Sequence, residues 1–143
     1  MDKIVFLCTG NTCRSPMAEG LFRALDGEKK TGLRAASAGL FTADGLPASE
    51  NAVAAASELG ADIRTHRSHM LTAALVEEAK YLVCMTAAHY DRVLKMFPQA
   101  EDKLFTLSDA DISDPFGGNL EVYRQCAAQI QQAVFAIIER LKK

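Results

Sequence analysis

The stretch Lys3-Ile4-Val5-Phe6-Leu7-Cys8-Thr9-Gly10-Asn11-Thr12-Cys13-Arg14-Ser15-Pro16 decides how this chain folds. Lys3 to Leu7 is a short β-forming run. Its apolar residues are continuous rather than alternating, which predicts a strand buried on both faces. Pro16 then opens a helical pattern through Met17, Ala18, Leu21, Phe22 and Leu25. Proline suits the first helical turn because the N–H it lacks would have been unpaired there. Gly27 is placed to end that helix. A buried strand, a short polar loop and a helix in this order are the first half of a βαβ unit.

The rest of the chain continues the alternation. Leu33 to Ala38 reads as a second strand stopped by Gly39, and residues 41–47 as a loop. Ala48 to Leu59 is an alanine-rich helix started by Pro47 or Ser49 and closed by Gly60. Leu71 to Ala79 is a short helix with Thr72 as N-cap. Tyr81 to Met85 is a third buried strand, Ala87 to Phe97 a helix stopped by Pro98, and Lys103 to Leu107 a fourth strand. After the loop 109–118, Asn119 to Lys142 is a long amphipathic helix with Val122, Cys126, Ile130, Val134, Ile137 and Leu141 along one face. Together these elements predict one α/β domain over residues 1–143: a four-stranded parallel sheet with helices on both faces. Ligands of such sheets bind beyond the carboxyl ends of the strands. Residues 8–15 occupy that place after the first strand.

Bulk properties remove several function classes. Apolar residues make up 49% of the 143 residues and charged residues 24%, a globular balance. With 16 basic and 18 acidic side chains the net charge is -2, and no basic run marks a nucleic-acid binder. No segment reaches the roughly 20 apolar residues of a membrane span, and no secretory signal is apparent. A cytoplasmic location follows as the expectation, with the four cysteines as thiols. No Cys/His spacing fits zinc, and no metal or organic cofactor is implied.

The chemistry concentrates in the loop. A strand-to-helix turn offers free backbone N–H groups and the positive end of a helix dipole. Gly10 and Asn11 are the residue types that best tolerate left-handed backbone, so Thr9, Gly10, Asn11, Thr12 and Cys13 can curl into an anion nest. Arg14 can give a planar, two-pronged contact to phosphate oxygens. Cys8, at the head of the same loop, faces the cavity where nest, dipole and Arg14 all favour a thiolate. A thiolate under a bound phosphoryl group is an aligned nucleophile. Downstream, Asp114-Pro115-Phe116-Gly117-Gly118 reads either as a capped turn or as a mobile loop carrying an acid. Cys13 reads either as a thiol packed beneath the loop or as one within disulfide reach of Cys8. Asp109 and Asp111 read as solvated loop residues, Cys84 and Cys126 as core. His69 and His89 receive no role.

The run Val5 to Glu19 resembles the signature of the low-molecular-weight protein tyrosine phosphatase family. Asp114-Pro115 resembles that family's general-acid loop, and Ser37-Ala38-Gly39 a third family segment. Order and spacing match over essentially the whole chain. The resemblance implies Cys8 as nucleophile, Arg14 as phosphate clamp and Asp114 as acid. It also implies a supporting network of Asn11, Ser15, Ser37 and His66 around the phosphate loop. Expected partners are phosphorylated proteins, and the expected form is a monomer.

Thr12 and Phe116-Gly117-Gly118 depart from tyrosine-directed members, which usually carry an aliphatic residue and paired aromatics at these places. Together with Met85-Thr86 they are similar to the bacterial protein-arginine-phosphatase branch. A threonine hydroxyl can hydrogen-bond a phosphoguanidinium, where isoleucine would leave polar N–H groups against an apolar wall. Phe116 can stack on the guanidinium. A tyrosine phosphatase of the same family is the alternative. Arsenate reduction is disfavoured, since no cysteine lies between Cys84 and Cys126. A non-catalytic phosphate binder would have no use for an acid on a loop.

Overall fold

The computed structural model describes residues 2–143. The strands are β1 (Lys3–Cys8), β2 (Arg34–Gly39), β3 (Ala79–Cys84) and β4 (Leu104–Thr106), all parallel, in the order β2-β1-β3-β4. Helices α1 (Arg14–Ala24), α2 (Gly27–Thr31), α3 (Glu50–Glu58), α4 (Ala73–Glu78), α5 (Ala87–Met96) and α6 (Leu120–Leu141) alternate with them, and a 3-10 turn, Pro98–Lys103, precedes β4.

The two-residue period of β1 splits the core. Ile4, Phe6 and Cys8 point to one face, among Met17, Leu21 and Phe22 of α1, Ala52 and Ala56 of α3 and Ile130 and Val134 of α6. Val5 and Leu7 point to the other, with Val76 of α4, Val93 of α5 and Leu104. A central strand buried on both faces is what a continuous apolar run requires. Its carboxyl end, Cys8, pairs with Gly39, and Leu7 pairs with Cys84. The loop after Cys8 therefore emerges from the middle of the sheet.

Four details differ from the sequence reading. Helix α1 starts at Arg14, two residues before Pro16. Proline is tolerated as the third helical residue because the first four N–H groups have no intrahelical partner. Gly27 does not end α1 but opens α2, after a left-handed turn at Asp26. A Cβ on Gly27 would sit 2.6–2.8 Å from the Phe22 carbonyl and ring, so close packing explains the glycine. On α6 the buried stripe runs through Tyr123, Cys126, Ala127, Ile130, Val134 and Ile138. Val122 lies one position, about 100°, off that stripe and is exposed. Finally, strand and helix ends shift by one or two residues, as in Leu104–Thr106 against the expected 103–107. Among the described residues no helix is long and apolar enough to cross a membrane.

Candidate active site

The loop leaving β1 is a ring of outward-turned carbonyls. Cys8 O accepts from Leu40 N, Thr9 O from Phe41 N, Thr12 O from Ser49 N and Cys13 O from Met17 N, all at 2.9–3.2 Å. His66 Nε2–H donates to Asn11 O at 2.7 Å. With the carbonyls tied outside, the amides of Gly10, Thr12 and Cys13 are left for an anion inside the curl. Asn11 alone adopts the left-handed conformation, at φ 56°; Gly10 does not use its freedom. The αL cost at Asn11 is offset by its carboxamide. Nδ2 donates to Ser15 Oγ at 2.7 Å and to Ser37 Oγ at 3.0 Å, while Oδ1 accepts from His69 N at 2.9 Å. Gly39 allows this close approach, since a Cβ there would lie 2.8 Å from Thr9 O and 3.1 Å from Asn11 Cβ.

The curl centres on Cys8. Its Sγ accepts from Asn11 N at 3.3 Å and lies 2.9 Å from Ser15 Oγ. Ser15 Oγ already accepts from Asn11, so its own hydrogen is directed at the sulfur. Two donors are thereby aimed at one sulfur. Arg14 is buried, and its Nη1 donates to Ile112 O at 2.8 Å. Its Nη2 lies 3.7 Å from Asp114 Oδ2. Asp114 is half exposed, and its Oδ1 accepts from Phe116 N at 3.1 Å, closing an Asx turn. Cys8, the loop Thr9 to Arg14, Asp114 and Phe116 line one cavity of about 210 Å3. The nine positions expected to attack, clamp, protonate or contact substrate thus share one space. The expected supporting residues Ser15, Ser37 and His66 all join the Asn11 network.

The sequence profile described as "Low molecular weight phosphotyrosine protein phosphatase" matches residues 3–143. The chain belongs to that family. Among its relatives, the protein-arginine-phosphatase of Geobacillus stearothermophilus is 40% identical, over 98% of this chain and 96% of that one. The low-molecular-weight protein-tyrosine-phosphatase PtpB of Staphylococcus epidermidis is 32% identical, over 92% of this chain and 94% of that one. A solved structure of the YwlE arginine phosphatase, a cysteine-to-serine mutant with a phosphorylated active-site serine, superposes with a TM-score of 0.93. It is 36% identical and covers 100% of this chain and 97% of that one.

Several residues around this cavity carried no expected role. Glu19 accepts from Ser37 Oγ at 2.6 Å and extends the Asn11 network toward Arg23. Its place in the signature run was visible, but its partner is 18 residues away. Tyr123 OH and Ser49 Oγ lie 3.4 and 3.5 Å from Cys13 Sγ, which is buried beneath the loop. Cys8 and Cys13 are both free thiols and have different neighbours. Burial pushes Cys126 and Cys84 up to about 12, in keeping with inert core thiols. Burial also lowers the His66 imidazole. Asp111 is exposed, as expected, and in addition accepts from Ala87 N at 2.9 Å at the start of α5. Asp109 lines a separate apolar groove by Phe105 and Leu141. His69 contributes only its backbone. His89 is buried and lies 2.8 Å from Thr9.

Proposed function

We propose that this phosphatase removes phosphate from phosphoarginine in proteins through a phosphocysteine intermediate on Cys8. The Cys8 thiolate attacks phosphorus while Arg14 and the loop amides hold the phosphoryl oxygens. The P–N bond breaks, its electron pair goes to the guanidine nitrogen, and the carboxylic acid of Asp114 gives that nitrogen a proton. A water then enters, Asp114 takes its proton, and the oxygen attacks phosphorus. The S–P bond breaks, returning the thiolate and releasing inorganic phosphate.

The observation that carries the arginine reading is Thr12. Its side chain lines the cavity beside Cys8, and its hydroxyl has only the weak neighbour Cys13 Sγ, at 3.8 Å. A free hydroxyl there can meet the N–H groups of a guanidinium. The half-exposed Asp114 carboxylate can meet its charge, and Phe116, 78% exposed, its flat face. The relative from Geobacillus is itself a protein-arginine-phosphatase. A second reading, hydrolysis of phosphotyrosine, is supported by the same exposed Phe116, which offers an aromatic wall, and by the Staphylococcus relative. The reading further takes the protein as a cytoplasmic monomer. The test is turnover of matched phosphoarginine and phosphotyrosine peptides by the purified protein. A kcat/KM at least about 10-fold higher for phosphoarginine is expected, about 1.4 kcal/mol of discrimination. Equal or reversed preference would move the assignment to phosphotyrosine.

A further inference from the structure

His89 sits in the first turn of α5, is buried with 8% of the residue exposed, and reaches the phosphate loop at Thr9. Thr86 caps the helix and accepts from His89 N at 3.1 Å, which fixes the backbone that carries the imidazole. The ring presents Nε2 to Thr9 Oγ1 at 2.8 Å, and Nδ1 is buried with no partner.

The orphan nitrogen decides the direction of the bond. A neutral imidazole has one donor and one acceptor nitrogen. If Nε2 accepted from Thr9, Nδ1–H would be a buried donor without an acceptor, the arrangement folded proteins avoid most. If Nε2–H donates, the orphan is a bare lone pair, and the Thr9 hydroxyl keeps its own hydrogen for the cavity side. A protonated ring would bury a charge and an unpaired Nδ1–H together. Burial and Arg14 hold His89 down at about 4, against opposing pulls from Asp111 and Asp114. The charged side chains of α5 itself nearby, Asp91, Arg92 and Lys95, line the adjoining cavity and stay exposed.

We infer that His89 is a positioning residue: its Nε2–H holds Thr9 and so fixes the head of the phosphate loop against α5. The same junction reaches the loop's other end. Ala87 N donates to Asp111 Oδ1, Ile112 N to Met85 O, and Arg14 Nη1 to Ile112 O. The segment Met85-Thr86-Ala87-Ala88-His89 therefore anchors Thr9 directly and Arg14 through Ile112. The inference rests on this loop being the phosphate site, and not on which amino acid carries the phosphate.

The experiment uses an aryl phosphate, so that a wrong choice between phosphoarginine and phosphotyrosine leaves it intact. His89→Phe keeps the ring volume but removes the donor. It should lower kcat/KM about 5- to 30-fold, the worth of one such hydrogen bond. Thr9→Val should match it, and the double variant should be no worse than the poorer single one. His89→Gln puts an amide nitrogen where Nε2 lies and should recover to within about threefold of wild type. His89→Asn reaches only the Nδ1 place and should not. Imidazole 15N shifts of the wild type give a readout that needs no variant to fold: Nε2 should carry the sole proton from pH 5.5 to 8. A double variant showing the product of the two single losses, a Gln variant no better than Phe, or an Nδ1–H tautomer would each overturn the inference.

Discussion

Two loops meet over the cavity, and they are held in opposite ways. In the phosphate loop, Cys8, Thr9, Asn11, Thr12 and Cys13 each have a paired carbonyl, and Asn11 is fully buried. The loop carrying Asp114 is tied to the sheet by Ile112 N to Met85 O and folded on itself by a turn from Gly118 N to Pro115 O. Between them Asp114 is half exposed, Phe116 faces solvent, and Gly117 takes φ 82°. The first arrangement has its donors in place before an anion arrives, as electrostatic stabilisation demands. The second holds its carboxyl only through an Asx turn to Phe116 N and the Arg14 guanidinium, at the solvent edge of the cavity. On the proposed mechanism, bond-making to phosphorus falls to the buried, densely hydrogen-bonded loop and proton transfer to the more exposed one.

The largest effect should come from breaking the buried loop at its centre. Cys8→Ser should lose at least about 10^4-fold in turnover while still binding phosphate, read by inhibitor titration and calorimetry. Retained turnover would remove the nucleophile assignment. On the exposed loop, Asp114→Asn should cost about 10^2- to 10^4-fold for substrates with poor leaving groups and clearly less for activated aryl phosphates. Equal slowing of both would exclude Asp114 as the acid.

Stability sharpens the contrast. Asn11→Ala removes three side-chain hydrogen bonds and places a residue of ordinary preference at φ 56°. It should destabilise by about 2–4 kcal/mol in denaturant titration and reduce activity with it. Phe116→Ala touches no core and should leave stability within about 0.5 kcal/mol while raising KM. If both variants unfold alike, the contrast between the loops fails.

Thr12→Ile addresses substrate choice at the rim. Leaving guanidinium N–H groups against an apolar wall should cost about 1–3 kcal/mol, 5- to 150-fold, for phosphoarginine, with phosphotyrosine spared. An unchanged ratio of the two activities would sink the role of Thr12.

The smallest effect is in pH. His89 is held neutral by burial, near 4 against an ordinary 6.5. A histidine with a depressed folded-state pKa makes the unfolded chain bind more protons below pH 6.5, so stability is full above that value and falls toward pH 4. Thermal melts across this window should show a gentler acid slope for His89→Gln than for wild type.

The sequence made most of this geometry legible, for identifiable reasons. Continuous apolar runs marked the buried strands, and the serine and threonine caps Ser49 and Thr72 marked helix starts. The phosphate loop was legible because its chemistry lies within eight consecutive residues. What escaped depends on distance or on packing. The Thr9–His89 contact spans 80 residues, and Tyr123 reaches Cys13 across 110. Gly27 reads as a stop until the Phe22 ring beside it is seen. A helix stripe can be misplaced by one residue, as at Val122, because Tyr123 is apolar over most of its length and polar at its tip. His89 had one usable signal: it follows a capping threonine by three residues, at the carboxyl end of a strand, where ligands of such sheets bind.

The division of labour between the loops is tested most directly by trapping the intermediate. Asp114→Asn mixed with an activated aryl phosphate, whose departure needs no acid, then quenched within one turnover and digested for mass spectrometry, should carry one phosphoryl group on Cys8. Its level should exceed that of wild type, because the water that releases it lacks a base. A variant that turns over substrate with no phosphoryl group on Cys8, or with one on another residue, would contradict the account.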